Sequence, residues 1–302
     1  MATTEKTGIK KVAFTHQDKI FWPEEGYTKG DVIDYYNTVY PHIIKYMKGR
    51  PESLYRTPNG IKEQGFFHKD AGLAAPEWVK SVPLYSESAD KEINYIVCYD
   101  KPTLLYLANL GCIEMNPWHS RVDNIDRPDY LVLDIDPSEE NTFEQVIETA
   151  LVIKETLGRA GAVSFPKTSG ATGIHVYVPL GAKYTYGQAK DFAHIVAMQA
   201  HEQLPEITSL TRPLGKRGKD HIYIDFLQNR KGQTIACAYS LRPKPGATVS
   251  APLEWKEVKS GLHPSDFTFK NIMARIEKKG DLFGGVLLKG IDMTKCIKKL
   301  EE

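Results

Sequence analysis

Two aspartates, Asp134 and Asp136, stand two residues apart in the segment LVLDIDP, at the end of the most continuous apolar run of the chain. A strand has a side-chain period of two, so both carboxylates fall on one face of it. Acids held that close repel one another, and a hard, oxygen-seeking cation such as Mg²⁺ or Mn²⁺ relieves the repulsion. A third aspartate, Asp225, lies between apolar residues in HIYIDFL. If that strand pairs beside the first, three carboxylates converge. Such a set holds two metal ions, which align an attacking hydroxyl with an α-phosphate and stabilise the departing pyrophosphate. The simpler alternative for Asp225 is an ion pair with Arg212 or Arg242.

The turn SGATGIH, residues 169–175, carries His175 onto another strand. Its Ser169 and Thr172 can donate hydroxyl hydrogen bonds to a phosphate, and Gly170 and Gly173 allow backbone amides to approach an anion. Lys167 adds a cation just before the turn, and His175 would donate to a phosphate oxygen. Without its neighbours the segment reads as a hairpin with a core histidine. Charge is also segregated: residues 129–148 hold seven acids and no Lys or Arg, and residues 211–244 hold eight bases against two acids. That separation can place cations and phosphates side by side.

The elements that must position these groups follow from hydrophobic periodicity. Tyr130 to Ile135 is a strand, followed by an amphipathic helix from Thr142 to Leu157, with Thr142 as N-cap and Gln145 at the capping-box position. Val163 opens a strand, turn, strand unit that ends in IHVYVPL. A helix spans Tyr186 to Gln203, a strand His221 to Leu227, and a late helix Phe267 to Lys279. Earlier, Gly30 to Lys48 is helical, bent or divided at Pro41. Ser53 to Arg56, Gly65 to His68 and Ile93 to Cys98 are strands, Ser81 to Lys91 is an exposed loop, and Pro102 opens a helix through Asn109. Strands and helices intersperse without a repeat. The expected class is therefore mixed α/β (α+β) with a central sheet, one domain over residues 1–302 with a turn-rich junction near residue 125.

The chain has 302 residues, 41% apolar and 25% charged, with a formal charge of +1, an ordinary globular composition. Cys98, Cys112, Cys237 and Cys296 are scattered and form no C-x-x-C pair, which argues against a zinc ribbon or a disulfide framework. The opening MATTEKTGIKK does not resemble a signal peptide, and nowhere do eighteen apolar residues run together. A reducing, cytoplasmic compartment and no membrane partner are expected.

LVLDIDP, SGATGIHVYVPL and HIYIDFLQNRKGQTIACAYSLRPKPGATVSAPLEW, in this order and at these separations, resemble the polymerase domain of bacterial and archaeal ligase D. This is the end-joining branch of the archaeo-eukaryotic primase superfamily. KIFWPEEGYTKGDVIDYY and GCIEMNPWHSR resemble the same family, so the likeness covers nearly the whole chain. The resemblance implies a primase-like fold with an RRM-like catalytic sheet in residues 126–302 and a part that grips DNA ends in residues 1–125. It makes Asp134, Asp136 and Asp225 the metal-binding catalytic carboxylates of a two-metal Mn²⁺ or Mg²⁺ site, with Asp225 helping to deprotonate a 3′-hydroxyl. Ser169, His175 and Arg242 would meet the triphosphate. Lys19 and Lys29 would grip the 5′-phosphate of a downstream strand, and Phe66 and Phe67 would stack on the template, at least one of them also belonging to the core. Arg217 would approach the nucleotide and primer end, and Ser81 to Lys91 would help two DNA ends pair.

Asn116 stands where many members of that family carry a histidine, which leaves open whether Asn116 or His119 serves the nucleotide. The implied partners are DNA with a 5′-phosphate at a gap or break and nucleoside triphosphates, ribonucleotides above all. A ring-shaped end-binding protein and a separate DNA ligase follow by analogy, because the chain holds no adenylating-lysine motif and so reads as a stand-alone polymerase subunit. Two rivals remain at this level: a DNA-end clamp without catalysis, and a phosphatase of the haloacid-dehalogenase type. The latter usually carries its Asp-x-Asp early and follows it with Gly-Thr or Gly-Val, where this chain has Pro137 and Ser138.

Overall fold

Long amphipathic segments with their own caps set the frame. The computed structural model describes residues 10–72, 75–86 and 89–302; most of the opening MATTEKTGIKK lies outside them. In chain order the first half contains β1 (Ile20–Trp22), β2 (Tyr27–Thr28), α1 (Lys29–Met47), β3 (Arg50–Pro51), β4 (Leu54–Arg56), β5 (Phe66–His68), β6 (Ser81–Ser86), β7 (Lys91–Cys98) and α2 (Lys101–Asn109). The second half contains β8 (Tyr130–Asp136), α3 (Phe143–Arg159), β9 (Phe165–Thr168), β10 (Ile174–Pro179), α4 (Tyr186–Gln203), β11 (Thr208–Ser209), α5 (Leu214–Arg217), β12 (Ile222–Asp225), α6 (Ile272–Lys279) and α7 (Met293–Glu301).

The run β8-α3-β9-β10-α4-β12 is a β-α-β-β-α-β unit. Its strands lie in the order β12-β8-β10-β9, the arrangement of an RRM-like sheet, with β11 added in parallel outside β12. Thr142 caps α3 and exchanges hydrogen bonds with Gln145. Val146, Ala150, Ile153 and Leu157 of α3 and Phe192, Val196 and Ala200 of α4 are all buried, as are Leu131, Leu133, Ile135, Ile174, Val176 and Val178 of the sheet. By strand alternation these six sheet residues share one face. The other face carries polar groups at β8, β9, β10 and β12.

Beyond Asp225 the ladder on β8 is continued by one side chain. Asn229 accepts from the Val132 N–H at 2.8 Å and donates to the Val132 carbonyl at 2.7 Å. Two side chains tie the first half to segments late in the chain: Tyr35 Oη of α1 donates to the Tyr239 carbonyl at 2.6 Å, and Trp22 Nε1 of β1 to the Lys244 carbonyl at 2.7 Å.

Three expectations need correction. Pro41 does not divide α1, which runs unbroken because Pro41 and Asn37, whose carbonyl loses its partner, both face solvent. The segment from Ser81 begins as strand, not loop: β6 pairs with β7 from Ser81↔Ile96 to Ser86↔Lys91, and its Val82 and Leu84 pack on Ile93, Tyr95 and Trp118. Residues 87–88 of that segment lie outside the described residues. The late helix starts at Ile272, since Thr268 is held in a bridge with Thr248, the Phe267 carbonyl accepts from the Val249 N–H at 2.8 Å, and Asn271 Oδ1 accepts from Thr268 N.

One surface contact carries a stability prediction. Burial alone would raise the pKa of Glu257, but hydrogen bonds from Arg275 and Lys279 outweigh it and hold the carboxyl at about 2. A depressed carboxyl stabilises the fold above its unfolded pKa, and that contribution fades as pH falls toward 2. Glu257→Gln should therefore cost about 2 kcal/mol at pH 7, with solvent screening included, and almost nothing at pH 2. Urea unfolding at both pH values measures the difference.

Candidate active site

Register assembles the site. Asp134 of β8 lies directly opposite Asp225 of β12 on one side and His175 of β10 on the other, and His175 lies opposite Lys167 of β9. Four strands thus present one continuous row, Asp225, Asp134, His175, Lys167, with Asp136 one pleat further along β8. The sequence-based expectation that β12 pairs beside the Asp-x-Asp strand is met by this register. The alternative for Asp225 is met only through space: the Arg212 charge acts on Asp225 without a contact ion pair among the described residues, Arg242 bonds Glu114, and Asp225 accepts from the Leu227 N–H at 2.8 Å.

The row fixes proton positions. Lys167 is fully buried, and its three donors meet three acceptors: His175 Nδ1 at 2.7 Å, the Ala236 carbonyl at 2.8 Å and Ser250 Oγ at 2.5 Å. Ser250 spends its own proton on the Thr168 carbonyl at 2.8 Å, so toward Lys167 it can only accept. With Lys167 as an ammonium, His175 Nδ1 is the unprotonated nitrogen. Its Nε2–H faces Asp134 Oδ1 at 3.3 Å and the cavity beyond. Burial, reinforced by the Lys167 and Arg242 charges, holds the His175 pKa well below the usual histidine range. Burial and Arg242 bring Lys167 down to about 7.

Ser169 is set in the same way. Its Oγ accepts the N–H groups of Ala171 at 3.0 Å and Gly173 at 2.9 Å, which leaves its hydroxyl proton to donate into the cavity. The Ala171 and Gly173 amides are thus used inside the turn. The glycines serve close packing: a Cβ on Gly173 would stand 2.2 Å from the Ile135 carbonyl oxygen, and Gly170 has φ +72° with Arg242 and Ser250 pressed against it.

A cavity of about 230 Å³ opens in front of the row, lined by Asp134, Asp136, Ser169, Thr172, His175, Glu114, Asn116 and Arg242 among others. Asn116 lines it. His119 does not: it is buried against Tyr130, and burial followed by the Arg50 charge lowers its pKa to about 3. Arg242 donates from Nε to Glu114 Oε2 at 3.0 Å and from Nη1 to the Ser169 carbonyl. Glu114 is a residue that sequence reasoning missed, although its spacing of two from Asn116 was in view.

The donor set suits a hard cation. Burial, then the Asp136 and Asp225 charges, pushes the Asp134 pKa up to about 8, and burial raises Asp225. Three carboxylates on one sheet face, two of them directly opposite, repel one another in a way that a divalent ion offsets. Among the described residues no three His, Cys, Asp or Glu side chains close on one point. Asp136, half exposed, leans instead toward Arg217 Nη2 at 3.4 Å. Arg217 also donates to Ser138 and lies over the Tyr223 ring, so it is folded against the carboxylate strand.

The residues expected to meet DNA lie on the other half. Lys29 is buried and donates to the Thr15 carbonyl at 2.7 Å, and its pKa is lowered by burial and by neighbouring Lys19 and Arg56. Lys19 is hydrogen-bonded to Asn59. The backbone bond from Lys29 N to the Lys19 carbonyl, 2.8 Å, brings the two lysines together. Phe66 and Phe67 are 48% and 65% exposed, so neither is core. They sit on a two-stranded ribbon, β4 with β5, in which Leu54 is buried in the core while Phe66 and Phe67 stay at the surface. Phe67 also lines a cavity of about 610 Å³ with Lys69, Tyr85, Trp118 and Lys231, which meets the smaller one at Thr234.

Residues 28–283 match the family described as LigD, primase-polymerase domain. The chain belongs to that family. It is 35% identical over 271 residues to the bifunctional non-homologous end joining protein LigD of Bacillus subtilis, covering 89% of this chain and 43% of that protein. To the multifunctional non-homologous end joining DNA repair protein LigD of Mycobacterium tuberculosis it is 30% identical over 282 residues, 90% of this chain and 36% of that protein. The chain therefore spans less than half the length of these LigD relatives. The fold matches the solved polymerase domain of Mycobacterium tuberculosis ligase D in complex with DNA, with a TM-score of 0.86 at 28% identity, over 94% of this chain and all of that one. The primase-like architecture and RRM-like sheet are thereby established for this LigD primase-polymerase domain. No helix among its described residues is long and apolar enough to cross a membrane.

Proposed function

We propose that the protein is a template-directed nucleotidyltransferase that extends or fills 3′ ends at DNA breaks during end joining, in the cytoplasm and with ribonucleotides preferred. The observation that carries this reading is the cross-strand row Asp225, Asp134, His175, Lys167, set on the sheet that the chain shares with the LigD primase-polymerase domains. Asp134, Asp136 and Asp225 would hold Mn²⁺ or Mg²⁺, which when bound supplies activation of the attacking hydroxyl and charge neutralisation at the leaving pyrophosphate.

The chain's own residues do the rest. His175, with Nε2 as its protonated nitrogen, and Ser169, with its free hydroxyl proton, donate to triphosphate oxygens, and Arg242 neutralises them. Lys167 holds the His175 tautomer. Thr172 at the cavity rim adds a hydroxyl, and Asn116 faces the sugar. No protein nucleophile is required, since the 3′-hydroxyl attacks and pyrophosphate departs. Lys19 and Lys29, joined by Arg56, form a cationic pocket for a 5′-phosphate. Phe66 and Phe67, both exposed and flanked by Arg56 and Lys69, offer sequence-tolerant stacking surfaces for a template base. Arg217 reaches the nucleotide and primer end once released from Asp136.

A gapped duplex with or without a downstream 5′-phosphate, offered ATP or dATP opposite a templating T with Mn²⁺, tests the reading. Extension should be strongest with ATP and with the 5′-phosphate. Lys29→Ala should remove the preference for the phosphorylated gap, about tenfold, while leaving extension of a plain primer-template unchanged. DNA binding without extension under any condition would favour a non-catalytic clamp.

A further inference from the structure

The backbone on both sides of Glu114 is clamped. On one side the Ile113 carbonyl accepts from Tyr36 Oη at 2.5 Å. On the other, Met115 N donates to Ser240 Oγ at 2.8 Å, the Met115 carbonyl accepts from Cys237 N at 3.0 Å, and the Asn116 carbonyl accepts from Ser53 N at 3.0 Å. A side chain on such a backbone has a fixed origin. Its two carboxylate oxygens are used in different directions, both inside the cavity that holds the carboxylate row. Oε2 accepts from Arg242 Nε at 3.0 Å, and Oε1 accepts from Asn116 Nδ2 at 3.0 Å.

These two bonds settle two orientations. A carboxylate only accepts, so the Asn116 amide must turn its nitrogen toward Glu114, and its carbonyl oxygen lies on the opposite side. Asn116 is 7% exposed and has little room to turn back. Arg242 spends Nε–H on Glu114 and one Nη1–H on the Ser169 carbonyl, which aims the remaining guanidinium donors. One acid thus orients a cation for phosphate and an amide oxygen that can take a hydroxyl proton from a sugar.

We propose that Glu114 is a positioning residue for the nucleotide, acting through Arg242 on the triphosphate and through Asn116 on the sugar. The inference rests on the polymerase reading above. It differs from a structural role for Glu114 because it requires coupling to both partners.

The test measures binding and turnover separately, on the full chain with gapped DNA and Mn²⁺. α,β-Methylene ATP and its 2′-deoxy counterpart are titrated calorimetrically, and KM and kcat are measured with ATP. Glu114→Gln keeps the shape but loses the charge and one acceptor. It should weaken α,β-methylene ATP binding and raise KM about tenfold, with kcat within about twofold and melting temperature unchanged. Glu114→Asp should restore part of the loss.

In the Arg242→Ala background Glu114→Gln should cost no more than about threefold further, the share carried by Asn116. In the Asn116→Ala background it should no longer alter the ratio between the ribose and deoxyribose analogues. Unchanged nucleotide affinity in Glu114→Gln, or losses that multiply fully with Arg242→Ala, would overturn the assignment while wild-type extension upholds the polymerase reading. Wild-type protein that neither binds the analogue nor extends a primer would overturn both.

Discussion

Asp134→Asn is expected to lower primer extension by a factor on the order of 10³ or more, a loss above about 4 kcal/mol in transition-state stabilisation. Circular dichroism and gapped-DNA binding should be unchanged. The reason is positional: Asp134 is the only member of the row with an acid or an imidazole directly opposite on both flanking strands. The same variant should be more stable than wild type in metal-free buffer at pH 7. Burial and the Asp136 and Asp225 charges raise the Asp134 pKa to about 8, so the folded metal-free chain holds a proton that the unfolded chain releases near pH 4. A carboxyl with a raised pKa costs stability that grows as pH rises from its unfolded value toward its folded one, and the amide removes that cost. Adding Mn²⁺ should raise the melting temperature of wild type and leave Asp134→Asn almost where it was. A wild-type melting temperature indifferent to Mn²⁺ would count against a carboxylate-held ion.

The second large effect is expected at Gly173. A Cβ there would sit 2.2 Å from the Ile135 carbonyl oxygen, an atom fixed in the central strand. Relief requires β10 to move away from β8 at the Ile174↔Ile135 pair, next to the pair that joins His175 to Asp134. Gly173→Ala should lose about 3 kcal/mol, near 5 °C in melting temperature, together with most nucleotide affinity. Gly158→Ala is the control: Gly158 lies on the exposed side of α3 with nothing within 4 Å of the added methyl, and the variant should be slightly stabilised. Thermal unfolding of both variants checks the contrast.

The parts of the site that depend on local periodicity were legible in the sequence. Asp134 and Asp136 share a face because strands alternate, and α3 starts at Thr142 because Thr and Gln three apart exchange hydrogen bonds across a helix start. What depended on distant partners was not. Glu114 matters through Arg242, 128 residues later, and nothing local marks it. Alternation requires one of two neighbouring strand residues to be buried only where a layer covers them, and on the short ribbon of β4 and β5 the layer that covers Leu54 does not extend to Phe66 or Phe67. At the turn the sequence does not display how close the packing is: the Ala171 and Gly173 amides are bonded to Ser169, and the smallness of Gly173 and Gly170 is needed against Ile135 and Ser250. The strand at Ser81 was hidden by its polar residues; only Val82 and Leu84 face Ile93 and Tyr95, which is enough to pair it.

The row across four strands also orders events in the life of the chain. Asp134 is made early, but its neighbour Asp225 follows 91 residues later, and Ser250, which fixes Lys167, later still. A chain emerging from the ribosome therefore has strand β8 long before the row is complete. Closing such distant registers is slow relative to helix formation, because loop entropy is lost before the contacts repay it. Regain of nucleotide binding during refolding should accordingly trail the recovery of helical signal from α3 and α4, so that the active site becomes a clock for the last step of folding.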